Sequence, residues 1–297
     1  MTKTFLRVFF SYILSLFIVI LSLGAGLCHY AQTTVCNQDM LLQVAEESGY
    51  TRQLHEEIAY NWENLLSITG VETPEDIMAV LTAEVVARDA LGYIADSYTG
   101  TATLDTQQLR SELDAKVREY AYSHNIYATP QAELEQNIND LVDACISDYQ
   151  TAITISLLPK LLGAVSRYGQ VLPKCIPVLA AGCGIMALFL FFLQKKRQDV
   201  LYYTAISGIT GGIILVGIPA LVAHYNIIRR LPIADSPLKT LLCSYLQAVV
   251  DAMNGYGMYF LYAAAAIFGL YILVNLIILV VKYCRERNAV QTEAETE

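Results

Sequence analysis

The sequence predicts an all-α membrane protein: four transmembrane helices, with an extracytoplasmic antiparallel helical bundle inserted between spans one and two. Three observations carry this expectation. Hydrophobic residues fill 55% of the 297 positions and charged residues 16%, against about 45–50% and about 25% in soluble domains, and the mean hydropathy is +0.42. Four uncharged apolar stretches reach the length that crosses a bilayer as helix, about 20 residues. Charge is concentrated elsewhere: residues 28–171 hold 21 Asp/Glu against 7 Lys/Arg, a net of −14, while the remainder holds 7 against 12, a net of +5. Such a composition excludes disorder, collagen-like repeats and a simple soluble domain.

The first segment, 1–27, is a short leader with Lys3 and Arg7 followed by the 20 apolar residues 8–27. That core exceeds the roughly 7–15 residues of a signal peptide. Bulky Leu27 stands where a lipoprotein site needs a small residue before Cys28. The stretch is therefore read as an uncleaved anchor.

Residues 28–171 read as the acidic helical domain, with helices expected at 37–68, 74–98, 106–124 and 130–170 and a candidate break at Gly49. Starts are marked by Thr73-Pro74-Glu75-Asp76, by Asp105 with Gln108, and by Thr129-Pro130, which combine caps, first-turn prolines and acids at the positive helix end. Gly70 and Gly100 mark stops. Apolar residues recur at helical spacing in Leu54, Ile58, Trp62, Leu65, then Leu109, Leu113, Val117, Tyr120, then Leu134, Ile138, Leu141, Cys145, Tyr149. Glu84/Arg88, Glu112/Lys116 and Asp114/Arg118 stand four apart, as expected of a solvated face with local ion pairs.

The second span is expected at 175–193 within the segment 172–194, followed by a cytoplasmic loop, 195–199, and the third span, 200–223. The segment 224–257 returns outside, with an amphipathic helix at 237–253 that Asn254-Gly255 should end. The fourth span follows at 258–281 and a cytoplasmic tail at 282–297. Leu238, Leu241, Leu242, Tyr245, Leu246, Val249, Val250 and Met253 give the amphipathic helix a wide apolar stripe. With few lysines on its polar face, docking on protein is favoured over lying in the interface. Tyr202, Tyr203, Tyr256, Tyr259 and Tyr283 sit near span ends, as headgroup-level rings do.

Orientation follows from Lys and Arg in the short segments. Lys3, Arg7, Lys195, Lys196, Arg197, Lys282, Arg285 and Arg287 fall on one side, against Arg229, Arg230 and Lys239 on the other. Both termini are thus expected in the cytoplasm of a multi-pass cell-membrane protein.

Sequence chemistry offers no catalytic motif and no cofactor signature. His55-Glu56-Glu57 lacks the second histidine of a zinc-protease helix, since Ala59 occupies the position. His29, His124 and His224 have no ligand-spaced partner, and no CxxC, phosphate loop, dinucleotide fingerprint or GxSxG elbow is present. Seven cysteines are distributed along the chain. Cys36 and Cys145 are the most plausible disulfide pair, although the reading as small buried hydrophobes is preferred. Cys284 is a juxtamembrane acylation candidate.

The four apolar stretches contain no Asp, Glu, Lys, Arg or His, which disfavours a proton- or ion-coupled transporter. Helix packing is assigned to Gly208 and Gly212 in span three, beside Ser207 and Gly211, and to Asn275 in span four as an interhelical hydrogen-bonding group. Ala180/Gly184 and Ala265/Gly269 are expected to offer similar small-residue faces. Pro219 is expected to bend span three near its outer end.

The layout, together with the stretches ESGYTRQLHEEI and DALGYIADSYTGTATLDTQQLRSELDAKVREY, resembles uncharacterised bacterial four-span membrane proteins with an extracytoplasmic helical domain. That resemblance implies the architecture and supplies no activity and no functional residue. The expected function is non-enzymatic: presentation of the outer helical domain for protein or ligand recognition, as a sensory or accessory subunit. A small permease or transporter component is the alternative, and a membrane-bound enzyme a second one. Expected partners are the lipid bilayer and a membrane or surface protein. Nucleic acid is excluded, because its affinity depends on clustered cations that the acidic domain lacks.

Overall fold

The computed structural model describes residues 2–294 apart from 73, 125–130, 195, 197 and 233–235. The expected starts at Thr73 and at Thr129-Pro130, and the basic residues Lys195 and Arg197, lie outside the described residues. All regular structure among the described residues is helical. The elements are α1 (Thr2–Tyr30), a π-helical turn (Ala31–Val35), α2 (Gln38–Glu47), α3 (Tyr50–Ile68), α4 (Glu75–Met78), α5 (Ala83–Ser97), α6 (Gln107–Ser123), α7 (Gln131–Ile153), α8 (Leu158–Leu193), α9 (Gln198–His224), a 3-10 turn (Ile228–Arg230) and α10 (Pro237–Ala294). Stretches long and apolar enough to cross a membrane lie within Phe5–Val35, Gln131–Leu193, Gln198–His224 and Pro237–Arg285.

The chain forms two compact units. One, the helical unit, comprises 35–169 and 229–248; the other, the apolar unit, comprises 1–34, 170–228 and 249–297.

The helical unit is built on stripes of apolar residues. On α3, Tyr50, Leu54, Ile58, Trp62 and Leu66 are buried at intervals of four, so every turn sends one large side chain to the same face. They meet Ile138, Leu141, Val142, Cys145 and Tyr149 of α7, Val86, Ala90 and Ile94 of α5, and Leu113 and Val117 of α6 in one continuous core. Trp62 sits at its centre with no exposed surface, its indole N–H donating to the Cys145 carbonyl at 3.0 Å. The left-handed backbone of Gly49 (φ 77°) separates α2 from α3, as a residue without Cβ can do at little cost.

Three expected boundaries are corrected. The helix expected at 74–98 is two helices, because Leu81 turns inward to burial and the Thr82 hydroxyl caps α5 by accepting from the Val85 N–H at 3.2 Å. The helix expected at 130–170 ends at Ile153. There Thr154 turns its hydroxyl back onto the Gln150 carbonyl at 2.6 Å, and the Tyr93 hydroxyl donates to the Ile155 carbonyl at 3.3 Å. The first bond sits beside the last helical one, from the Thr154 N–H to the same carbonyl, and the second holds a carbonyl that a continuing helix would have used. α8 then runs without interruption from Leu158 to Leu193, through Pro173 and Pro177, and residue 169 within it is where the first segment of the helical unit ends. Asn254-Gly255 does not end the amphipathic helix either, since α10 is unbroken from 237 to 294. A glycine inside a helix costs about 1 kcal/mol against alanine. Gly257 offsets that by close packing: a Cβ there would lie 2.7 Å from a methyl of Val216 and 2.9 Å from its nitrogen.

Candidate functional site

Two places can carry function: the helix-packing seam of the apolar unit and a cleft in the helical unit.

In the apolar unit, small residues let helices approach. A Cβ on Gly208 would fall 2.8 Å from the Ala264 Cβ, and one on Gly212 would fall 2.6 Å from the Leu261 Cγ. Both glycines of α9 therefore lie against α10. Asn275 accepts from the Gln198 amide at 2.8 Å and donates to the Tyr271 carbonyl at 2.8 Å, using its side chain in a bond between α9 and α10. The other two expected small-residue faces are placed differently. Gly184 and Gly269 have nothing within 4 Å of an added Cβ, so those surfaces are not crossings within the chain. The close approaches that spacing did not single out are Gly26 on Phe260, at 2.9 Å, Gly24 on Leu179 and Gly182 on Leu21.

Serines add a polar seam that was also missed. Ser15 and Ser207, 6% and 1% exposed, bring their hydroxyl oxygens to 2.7 Å, and the Ser207 hydroxyl also reaches the Tyr203 carbonyl at 2.8 Å. One turn away on α1, Ser11 donates to the Arg7 carbonyl at 2.8 Å and accepts from the Gln194 amide at 2.5 Å. Tyr12 and Tyr203 meet edge to face with centroids 5.5 Å apart. A serine pair 192 residues apart carries no local signal in the sequence, which is why it escapes reading.

In the helical unit, α3, α6 and α7 leave a cleft of about 600 Å³, within the range of small-ligand pockets, about 300–1,000 Å³. Leu65, Val71, Val117, Leu134 and Leu141 form much of its apolar lining, and Thr69, Asn137 and Asp140 supply polar groups. Tyr120 lines the cleft and accepts from the Glu72 N–H at 2.9 Å, anchoring the turn that the positive-φ Gly70 begins.

Beside this core, Asp148 accepts from the Asn61 amide at 3.1 Å through Oδ1, while its buried Oδ2 has no partner. Burial pushes its carboxyl above the usual range, and the Asn61 hydrogen bond partly opposes the shift. Burial, with Asp148 adding, pushes the Cys145 thiol up to about 12, which keeps it protonated and a poor nucleophile. All seven cysteines are free thiols, so Cys36 and Cys145 are not joined; Cys36 packs against Gly169 instead.

The histidines take ordinary structural partners. His55 bonds the Leu81 carbonyl at 3.0 Å, His124 stacks on Tyr120, His29 meets Tyr256 and His224 meets Tyr225. Among the described residues, no three of His, Cys, Asp and Glu gather in a geometry that holds a metal ion. Of the expected ion pairs, Arg118–Asp114 forms at 2.8 Å, and Arg118 also bonds Glu135 of α7. Lys116 pairs with Glu119 and Arg88 with Asp89 rather than with the expected Glu112 and Glu84; Glu112 accepts from Gln108 instead. In the seam the polar side chains are used in helix contacts, and the cleft has the volume of a small-ligand pocket. The chain matches no family model, no curated protein and no solved structure.

Proposed function

We propose that this chain is a multi-pass cell-membrane protein with both termini cytoplasmic. Its acidic helical domain, residues 28–171, stands outside, between spans one and two, and recognises a protein surface or a neutral ligand without catalysis. The observation that carries this reading is the partition of charge and shape. A net charge of −14 over residues 28–171 coincides with a helical unit that has its own core and a cleft of about 600 Å³. The eight cations of the short segments lie beyond the opposite ends of the apolar stretches. Such a negative field repels polyanions and attracts cationic surfaces. The Ser15–Ser207 and Gln198–Asn275 bonds occupy polar groups in helix contacts, which favours a scaffold over the permease alternative.

Topology reporters test the placement. A reporter active only outside the cytoplasm should work when fused near Gly100 or Asp235 and be silent after Arg197 or Glu297; the reverse pattern rejects the orientation. For recognition, the full chain in zwitterionic nanodiscs should crosslink to a neighbouring membrane or surface protein. It should show no saturable micromolar binding to anionic polymers at physiological salt, and such binding would reject the reading.

A further inference from the structure

Between α1 and α8 of the apolar unit runs a narrow groove of about 280 Å³, lined by Phe10, Ile13, Leu14 and Phe17 on one wall and Met186, Phe189 and Leu193 on the other. Phe10, Phe17 and Phe189 each leave about half of their surface open, at 47%, 49% and 55%. Arg7, Phe10, Leu14 and Phe17 follow one another at intervals of three, four and three. They therefore share one face of α1, with Arg7 one turn beyond the end of the groove. The Nε of Arg7 is buried and has no hydrogen-bond partner. On the other wall the chain passes from Leu193 to exposed Lys196.

We propose that the groove holds an acyl chain of an anionic glycerophospholipid whose phosphate is bound by the Arg7 guanidinium. A groove of this size suits a single alkyl chain, whereas a partner helix, about 10 Å across with its side chains, needs a wider seat. The headgroup follows from charge. A guanidinium donor withdrawn from water needs an acceptor, and its planar fork matches phosphate oxygens. Basic positions at the cytoplasmic end of grooves between spans are where anionic headgroups bind. The proposal rests on reading these helices as membrane spans; it does not depend on what the acidic unit recognises.

The test is native mass spectrometry of the full chain in a mild non-ionic detergent, titrated separately with phosphatidylglycerol and phosphatidylcholine. Wild type should bind phosphatidylglycerol at least fivefold more tightly. Arg7→Gln should lower that preference about fivefold, the factor one cation supplies near an anionic surface, and Arg7→Lys should keep most of it. Met186→Trp, which fills the groove, should weaken both lipids. Arg285→Gln, which removes a cation remote from the groove in sequence, should change neither. Equal binding of the two lipids to wild type overturns the proposal. So does an equal loss with Arg285→Gln and Arg7→Gln, or undiminished binding to Met186→Trp. Extraction of the chain from membranes by alkaline carbonate would instead reject the membrane reading, so the two failures are separable.

Discussion

Trp62 and Gly212 mark two ways of bringing helices together in one chain. Around Trp62 the helical unit fully buries large side chains, among them Tyr149, Ile58, Leu66 and Leu113. In the apolar unit the only large buried cluster among the described residues is Ile18, Leu190 and Tyr203, with Leu215 besides, and small or hydroxylated residues are buried alongside: Ser11, Ser15, Ala205, Ser207, Gly211 and Ala264. Many other large apolar residues of the same helices face outward, with Leu16, Ile20, Ile213 and Leu221 all more than half exposed. In water, burying Trp or Leu is itself the driving force. Among lipid tails as apolar as leucine that force vanishes, and close backbone approach with hydrogen bonds takes its place. The contrast matches the apolar unit's four stretches long and apolar enough to cross a membrane, beside a helical unit with a large apolar core of its own.

The strongest way to break the contrast is Trp62→Ala. It opens a cavity and removes the donor to the Cys145 carbonyl, and should cost about 3–5 kcal/mol. Circular dichroism of the full chain in detergent should show an early loss of part of the helical signal while the rest persists. A single unchanged transition would count against an independent core. Next, Gly208→Leu with Gly212→Leu should lower the melting temperature in detergent, since each overpacked site costs about 1–3 kcal/mol, while membrane insertion stays normal. Unchanged melting would mean that the α9–α10 crossing is not tight. Ser207→Ala should cost less, about 0.6 kcal/mol and at most about 1.7, measured by the same melt; a larger loss would show the seam to dominate the apolar unit.

The smallest effect concerns Asp148. Its folded carboxyl is raised above the ordinary value by burial, so its favourable contribution is complete at low pH and fades as pH rises through the folded value. Asp148→Asn should thus gain on wild type in melting temperature between pH 4 and pH 8. A gain that shrinks with rising pH would contradict that sign.

What the sequence revealed and concealed follows the range of the forces involved. The apolar stretches were legible because about 20 uncharged residues have few other uses. The stripe Leu109, Leu113, Val117, Tyr120 was legible because helical phase is local, and the structure buries all four. The break after Ile153 was not, because it depends on Tyr93 reaching Ile155 from another helix. Nor was the continuity of α10, where Asn254-Gly255 reads as a break but the helix runs on to pack the nearby Gly257 against Val216. Of the packing residues, Gly208 and Gly212 stood out by spacing, whereas Gly26 and the Ser15–Ser207 pair acquire meaning only from partners far along the chain. Lys116 had two acids within reach on its own helix, and spacing alone did not choose Glu119 over Glu112.

Trp62 has one more consequence. It is the chain's only tryptophan, set against 20 tyrosines, and it lies wholly inside the helical unit. Light at the red edge of indole absorption excites it selectively, so its emission is an unlabelled optical reporter of that unit alone. A sealed apolar surrounding gives blue-shifted emission, and entry of water moves the emission to the red. The apolar unit, having no indole, stays dark in the same experiment. Folding of one half of the molecule can therefore be followed by fluorescence while the other half remains embedded in detergent or bilayer.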